Sequence, residues 1–271
     1  RGVLAGVDFT EPDRPREAAR YHGELIAGIS DRAGELGFKL ERFDVGPGGI
    51  TVPRLGSILH TRGIGGVVLL PAWGEPDLSA LDWPHLAGVY TDYIIERPRL
   101  HTVCSDQYRS LLVALQRLQD VGYRRPGVLL QRHQDERLQF RWSAAFRTFQ
   151  ENFPGGGTVP PLIVDRYDRG SFARWFRAHR PDVVLGHNCE AIAWMESCGA
   201  KVPSTHGFVC LNVHMRTRPC AGLDLQPRVL GGRAAELLIA QLQRNELGIP
   251  DWPSTTTIAA RWADEIGRAH V

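Results

Sequence analysis

The chain has 271 residues, of which 43% are hydrophobic and 23% charged, a composition typical of globular proteins that excludes extensive disorder. The length suits two lobes of about 130 residues each. The net charge is only +2, and no long run of basic residues is present, so these 271 residues are not expected to bind nucleic acid themselves. The longest apolar runs reach about seven residues against the roughly 20 of a membrane helix, so no membrane partner is expected.

Short apolar runs bounded by turn residues predict nine β-strands. Several are apolar throughout, which is typical of parallel strands buried on both faces. The predicted strands are Val3–Val7, Lys39–Asp44, Gly66–Pro71, Gly88–Tyr90, Gly127–Leu130, Leu162–Val164, Asp182–Gly186, Gly207–Val213 and Thr255–Arg261.

Amphipathic stretches between these strands predict helices, because their apolar residues recur every three or four positions. Examples run from Leu25 to Leu36, from Leu111 to Leu118, from Leu138 to Phe153 and from Leu230 to Leu242. The alternation of strands and helices indicates an α/β fold built from βαβ units with parallel sheets. A late helix and strand after the second set of units imply that the chain crosses between two lobes more than once. Two such lobes facing each other would form a cleft.

The five cysteines share no CxxC spacing, so neither a zinc site nor a disulfide framework is expected, and a reducing cytoplasm fits best. The N-terminus lacks the pattern of a secretory signal. It also lacks an initiating Met, so we expect these residues to be a piece of a longer chain.

No motif of a hydrolase, nucleotide-binding enzyme, metalloprotease or kinase is present, so no catalytic residues and no cofactor are predicted. His187 has no second ligand at metal spacing, and no metal site is expected there.

Polar and aromatic residues directly after apolar strands predict a small-molecule site, because ligands of parallel sheets bind beyond the carboxyl ends of strands. A mixture of hydrogen-bonding groups and flat apolar faces suits a carbohydrate. The candidates of this kind are Asp8, Phe9, Trp73, His187, Asn188 and Asn212. The alternative is structural: Asp106 and Asn188 stand where helix N-caps are expected.

Arg137, Arg141 and Trp142 lie at the start of the predicted helix whose apolar stripe runs from Leu138 to Phe153. A spacing of four places both guanidinium groups on one flank of a helix. Cations near a helix N-terminus oppose the helix dipole, which favours a ligand-binding role, with surface ion pairing as the alternative.

Several segments in order resemble the LacI/GalR family of transcription regulators. Gln107–Leu130, ending Leu118-Gln-Asp-Val-Gly-Tyr-Arg-Arg-Pro-Gly-Val-Leu-Leu130, resembles the family's helix, glycine, basic pair and strand, with Asp106 at the helix start. The likeness continues in Val202-Pro203 with Gly207-Phe-Val-Cys-Leu-Asn212, in Cys220-Ala-Gly-Leu-Asp224 with Leu230-Gly231, and in Arg1–Leu40.

This resemblance implies two Rossmann-like lobes of the periplasmic-binding-protein-like type I, joined by three crossovers. It places residues 1–123 and 222–249 in the N-terminal lobe and residues 124–221 and 250–271 in the C-terminal lobe. It adds Asp106 to the candidate ligand-binding residues. Five positions depart from the family: Trp142 stands in place of an arginine, Ala145 in place of a glycine and His187 in place of an asparagine, and Asn188 and Asn212 replace acidic residues. Trp142 would stack against the ligand where the family's arginine would hydrogen-bond to its hydroxyl groups.

The resulting hypothesis is the effector-binding and dimerisation domain of a cytoplasmic, bacterial LacI-type transcription regulator, and not an enzyme. Its expected partners are a carbohydrate-like effector, a second copy of the chain, and operator DNA through a missing N-terminal helix-turn-helix. Apolar groups at Ile58-Leu59 and Leu81–Trp83 are the candidate dimer surface. A secreted solute-binding protein of the same fold and a sugar-modifying α/β enzyme are the alternatives.

Overall fold

The computed structural model describes residues 2–264, which form two compact units. The first unit comprises residues 2–105 together with Gln226–Ile258, and the second comprises Asp106–Leu225 and residues 259–264. The chain therefore crosses three times, as expected. The crossings differ from the predicted boundaries, because residues 106–123 and 222–225 belong to the second unit and residues 250–258 to the first. Residues 265–271 of the predicted C-terminal lobe lie outside the described residues. Within residues 2–264, no helix is both long and apolar enough to span a membrane.

The first unit is built on a six-stranded sheet in which every pair of neighbouring strands is parallel. The strands are β1 (Gly2–Phe9), β2 (Phe38–Val45), β3 (Gly66–Leu69), β4 (Ala87–Tyr90), β5 (His101–Ser105) and β11 (Thr255–Ile258), in the order β11-β5-β4-β3-β1-β2. Its helices are α1 (Ala18–Glu35), α2 (Val52–Arg62) and α8 (Pro227–Gln243). A sheet with apolar side chains on both faces needs a cover on each side, and its strands are accordingly buried.

Helices α1 and α8 pack closely against each other on one face of this sheet. Glycines make the approach possible. A Cβ atom at Gly28 would lie 2.1 Å from the carbonyl oxygen of Arg228, and one at Gly231 would lie 2.2 Å from that of Leu25. The sequence signal Leu230-Gly231 therefore marks a helix crossing where no side chain fits.

The second unit contains another six-stranded sheet, parallel except for one edge strand. The strands are β6 (Pro126–Gln131), β7 (Leu162–Val164), β8 (Val183–Gly186), β9 (Gly207–Cys210), β10 (Ala221–Asp224) and the antiparallel β12 (Arg261–Ala263), in the order β12-β10-β9-β8-β6-β7. Its helices are α3 (Gln107–Asp120), α4 (Arg132–Arg137), α5 (Arg141–Asn152), α6 (Arg169–His179) and α7 (Ala191–Ser197).

Two predicted elements are divided in the structure, and β5 is a strand that the sequence did not predict. The segment predicted as one strand, Thr255–Arg261, is divided between β11 in the first sheet and β12 in the second. The helix predicted from Leu138 to Phe153 begins only at Arg141, because Gln139 and Phe140 adopt left-handed backbone angles, with φ of 55° and 60°. A left-handed residue cannot continue a right-handed helix, so α4 and α5 are separate.

Candidate functional site

The predicted site residues divide between the two units. Asp8, Phe9 and Trp73 belong to the first, and the other seven belong to the second. Six of the ten lie at or after the carboxyl end of a strand of their own unit, as the sequence indicated. In the first sheet these are the neighbouring strands β1 and β3, and in the second they are β8 and β9. The chemistry of each residue decides whether it is available for a ligand.

Asp8 is the centre of a buried ion network. Its carboxylate is 3% exposed and lies 3.0 Å from Nη1 of Arg14, 2.9 Å from Nδ1 of His22 and 3.0 Å from Nη2 of Arg42. Burial by itself raises the pKa of this carboxyl. The hydrogen bonds and charges of His22 and Arg14 outweigh burial, so the pKa of Asp8 lies below its ordinary value of 3.8. These internal partners give Asp8 a structural role.

Phe9 and Trp73 have different surroundings. Phe9 is 3% exposed and belongs to the hydrophobic core of the first unit. Trp73 is half-buried, and its main-chain N–H donates to Oε1 of Glu11 at 2.6 Å, while Gly74 donates to Oε2 at 2.6 Å. Glu11 thus ties the segment after β3 to the segment after β1. Of the two aromatic residues, only Trp73 keeps part of its surface exposed.

Three predicted site residues accept hydrogen bonds from the main chain at the start of a helix. The side chain of Asp106 accepts from N–H of Arg109 at 3.0 Å and caps α3. Asn188 accepts from Glu190 at 3.0 Å just before α7, and Asn212 accepts from His214 at 3.1 Å at a short 3₁₀ helix. This geometry confirms the capping interpretation for Asp106 and gives Asn212 the same function. For Asn188 the capping interpretation is wrong, because the N-cap of α7 is Glu190 and Asn188 only closes the turn before it.

Arg137 and Arg141 do not share a helix, so the argument from their spacing is wrong. Arg137 ends α4 and donates to Oε1 of Gln134 at 3.3 Å. Arg141 begins α5 and donates to Oε1 of Gln139 at 3.4 Å. Both side chains are half-buried, at the break between the two helices.

Asp135 is the residue at this break that the sequence did not reveal. It is 2% exposed, and its carboxylate accepts from N–H of Ser143 at 3.2 Å in the first turn of α5. The residue preceding α5, Phe140, has no side-chain cap, so Asp135 supplies the missing acceptor from the preceding helix. In the sequence it lies within a charged stretch that is typical of a solvated helix.

Trp142 and His187 form the most distinctive pair in the second unit. Trp142 is fully buried and His187 is 8% exposed, and their rings meet edge to face with centroids 5.7 Å apart. Neither Nε1 of Trp142 nor Nδ1 of His187 has a hydrogen-bond partner among the described residues. Buried polar atoms are nearly always paired, so these two point to a ligand.

His187 is uncharged at neutral pH. Burial lowers its pKa to about 4, and the positive charge of Arg137 contributes to the decrease. A neutral imidazole has one N–H donor and one acceptor nitrogen. The pair therefore offers an indole donor, an imidazole with both functions and two aromatic surfaces, with a guanidinium nearby.

A second cluster consists of Cys189, Cys210 and Cys220. The three sulfur atoms lie within 4.8 Å of one another and all three residues are buried. Spacing along the chain did not reveal them, since each comes from a different strand end. All five cysteines of the chain are free thiols.

Comparison with known proteins supports the class of fold. No family profile and no curated protein sequence matches the chain. Solved structures do: a complex of the transcriptional regulator CelR with cellobiose aligns at 17% identity and a TM-score of 0.70, over 97% of this chain and 83% of that one. A LacI transcriptional regulator from Lactobacillus brevis aligns at 14% identity and 0.68, over 97% and 100%. A LacI-family regulator from Enterococcus faecium with bound ribose aligns at 13% identity and 0.65, over 97% of each chain.

The chain is thus a two-unit α/β protein with parallel-dominated sheets. More particularly, its fold is that of solved LacI-family transcription regulators, over 97% of the chain in these comparisons.

Proposed function

We propose that this chain is the effector-binding domain of a LacI-type transcription regulator and that its effector is a carbohydrate or a similar polyhydroxylated molecule. The observation that carries the proposal is the buried Trp142–His187 pair with its two polar atoms lacking a partner in the described chain. Two structural neighbours contain cellobiose and ribose, which supports the same ligand class.

The chemistry of the pair matches a sugar hydroxyl. A hydroxyl both donates and accepts, and neutral His187 can do the same, while Trp142 can only donate. Aromatic rings also pack against the C–H faces of a sugar ring. The proposal contains no catalytic step.

The test begins with a thermal-shift screen of neutral mono- and disaccharides, including cellobiose and ribose, because a ligand that binds the folded state raises the melting temperature. Calorimetry then compares Trp142→Phe with the unchanged chain. Loss of the indole donor should weaken binding about tenfold, which corresponds to roughly 1.4 kcal/mol.

Trp175→Phe is the matched control. The indole N–H of Trp175 already donates to the carbonyl of Pro160 at 2.7 Å. Its removal should lower stability by about 1 kcal/mol and leave sugar affinity unchanged. Equal affinity in the Trp142→Phe variant, or a sugar panel without any shift, would contradict the proposal.

Operator DNA would be bound by a helix-turn-helix outside these residues. The balanced charge, with 32 basic and 30 acidic residues, supports this division, because phosphate binding depends on clustered cations. The isolated chain should show no salt-sensitive operator binding in a mobility-shift assay, whereas the full-length regulator should respond to the effector. Five free thiols support a reducing, cytoplasmic compartment.

Pairing of two chains remains part of the proposal, but not through the surface first considered. Leu59, Leu81 and Trp83 are 2%, 4% and 6% exposed and belong to the core of the first unit, against which Ile58 also packs. Sedimentation should show a dimer at micromolar concentration, and a monomer there would contradict this part of the proposal.

A further inference from the structure

The sheet of the second unit brings three cysteines to one place. Cys189 follows β8 by three residues, Cys210 ends β9, and Cys220 immediately precedes β10. In the sheet β8, β9 and β10 are neighbours, with Gly186 opposite Cys210 and Cys210 opposite Gly222. Residues that are distant in sequence thereby become adjacent.

Side-chain alternation explains why the sulfurs converge. Cys220 lies two residues before Gly222 and so on the same face as Gly222 and its partner Cys210. A Cβ atom at Gly222 would lie 3.1 Å from Cβ of Cys210 and 2.4 Å from its carbonyl oxygen, so only glycine permits this strand pairing. The result is a separation of 3.9 Å between Sγ of Cys189 and Sγ of Cys220.

These sulfur positions match a metal ion held by three thiolates. Three sulfurs in a plane around a metal at about 2.3 Å lie about 4.0 Å apart. The observed 3.9 Å agrees, and the third sulfur lies within 4.8 Å of both. No histidine or carboxylate joins the cluster within residues 2–264.

The ligand set selects among metals. Structural zinc is almost always four-coordinate, and this cluster supplies only three ligands. Thiolates also favour soft ions, of which Cu(I) accepts three-coordinate sulfur. We propose that Cys189, Cys210 and Cys220 form a Cu(I)-binding site in the second unit. This site is independent of the carbohydrate proposal, since it uses none of the same side chains.

The three thiols influence one another's ionisation. Hydrogen bonds with Cys210 and Cys220, and others from the main-chain N–H groups of Thr217 and Arg218, lower the pKa of Cys189 despite its burial. Hydrogen bonding with Cys189 and burial raise the pKa of both Cys210 and Cys220, and Arg216, which donates to the carbonyl oxygen of Cys220 at 2.9 Å, offsets only part of this increase at Cys220. On binding, each thiol that becomes a ligand releases its proton to solvent, and copper stays in the Cu(I) state.

Two other roles would leave the same residues buried. Free cysteine packs as a small apolar residue, and all three belong to the hydrophobic core of the second unit. Alternatively, Cys189 and Cys220 are close enough to form a disulfide after a small movement, since a disulfide needs an S–S distance of about 2.05 Å. Both roles make predictions that differ from those of copper binding.

The test is a competition for Cu(I) between the reduced chain and the chromophoric chelator bicinchoninate, under anaerobic conditions. The unchanged chain should remove a single copper ion per molecule from the chelator. Cys210→Ala and Cys220→Ala should each weaken binding by more than about 100-fold, because even the outer-shell partners of metal ligands contribute 10- to 100-fold. X-ray absorption of the loaded chain should count three sulfur ligands.

Cys104→Ala and Cys198→Ala are the controls, because each removes a free thiol outside the cluster. Both should bind copper like the unchanged chain. Urea unfolding without metal identifies any cluster variant that fails to fold. If a variant does not fold, the number of sulfur ligands seen by X-ray absorption in the unchanged, copper-loaded chain tests the proposal instead.

Three results would overturn the proposal. One is copper uptake that survives in folded cluster variants or disappears in the controls. Another is a Cys189–Cys220 disulfide formed without retained copper. The last is displacement of the bound copper by an equal concentration of zinc.

Discussion

Replacement of Asp8 by Asn separates a structural role from a ligand-binding role at the end of β1. The substitution keeps the shape of the side chain and removes the charge that Arg14, His22 and Arg42 share. Breaking a buried ion pair by removing one partner costs about 3–5 kcal/mol. Arg42 is 51% exposed and regains water, so we expect the lower end, about 3 kcal/mol.

Asp44→Asn is the matched control for this experiment. Asp44 accepts from Nε of the same Arg42 at 2.9 Å, but its side chain is 50% exposed. Exposed pairs contribute about 0–1 kcal/mol, so this variant should unfold almost like the unchanged chain. Urea unfolding at pH 7 measures both differences.

The effect of Asp8→Asn should also depend on pH. Because the pKa of Asp8 is lowered in the folded state, its contribution is complete above the ordinary value of 3.8 and is lost as the pH falls through the folded-state pKa. The difference in unfolding free energy between Asp8→Asn and the unchanged chain should therefore decrease in acid. The reasoning is refuted if Asp8→Asn is as stable as Asp44→Asn, and a loss of sugar affinity alone would assign Asp8 to the ligand.

Two further substitutions test neighbouring conclusions. Gly231→Ala should destabilise the chain by about 2 kcal/mol, because the added methyl group would lie 2.2 Å from the carbonyl oxygen of Leu25. Gly232→Ala has its nearest neighbour at 3.7 Å and should gain up to about 1 kcal/mol from helix propensity. Thermal unfolding compares the two variants, and equal melting temperatures would contradict the close helix contact. Asp106→Ala should cost about 1 kcal/mol through loss of the cap on Arg109 and leave sugar affinity unchanged, so weaker binding in calorimetry would return Asp106 to the ligand site.

The alternation of strands and helices could be predicted from the sequence because it follows from local apolar spacing. Runs such as Gly66–Pro71 are apolar throughout, and they form strands with helices on both faces. The division of Thr255–Arg261 between two sheets could not be predicted in this way. Which sheet edge a short strand joins depends on non-local pairing, which no residue within the segment encodes.

The candidate site was only partly predictable for a related reason. A residue's place after a strand or at the start of a helix can be read from the sequence, which is why His187 and Trp142 were both among the candidates. Whether its polar atoms already have partners cannot be read from the sequence. In the structure Asp8 forms ion pairs, Phe9 packs in the core and Asn212 caps a 3₁₀ helix. The left-handed residues Gln139 and Phe140 carry no glycine signal, so the helix break beside the site was missed.

The return of the chain to the first unit also fixes the order in which the protein can be completed on the ribosome. Leu230, Ala234 and Leu238 of α8 complete the core around Leu4, Leu25 and Val68, yet they are synthesised after all five parallel strands of the second unit. The nascent first unit must therefore keep the part of this sheet face that α1 does not cover exposed while the second unit is being made. Such a surface is a binding site for chaperones, and this protein should depend on them during synthesis more than its modest length suggests.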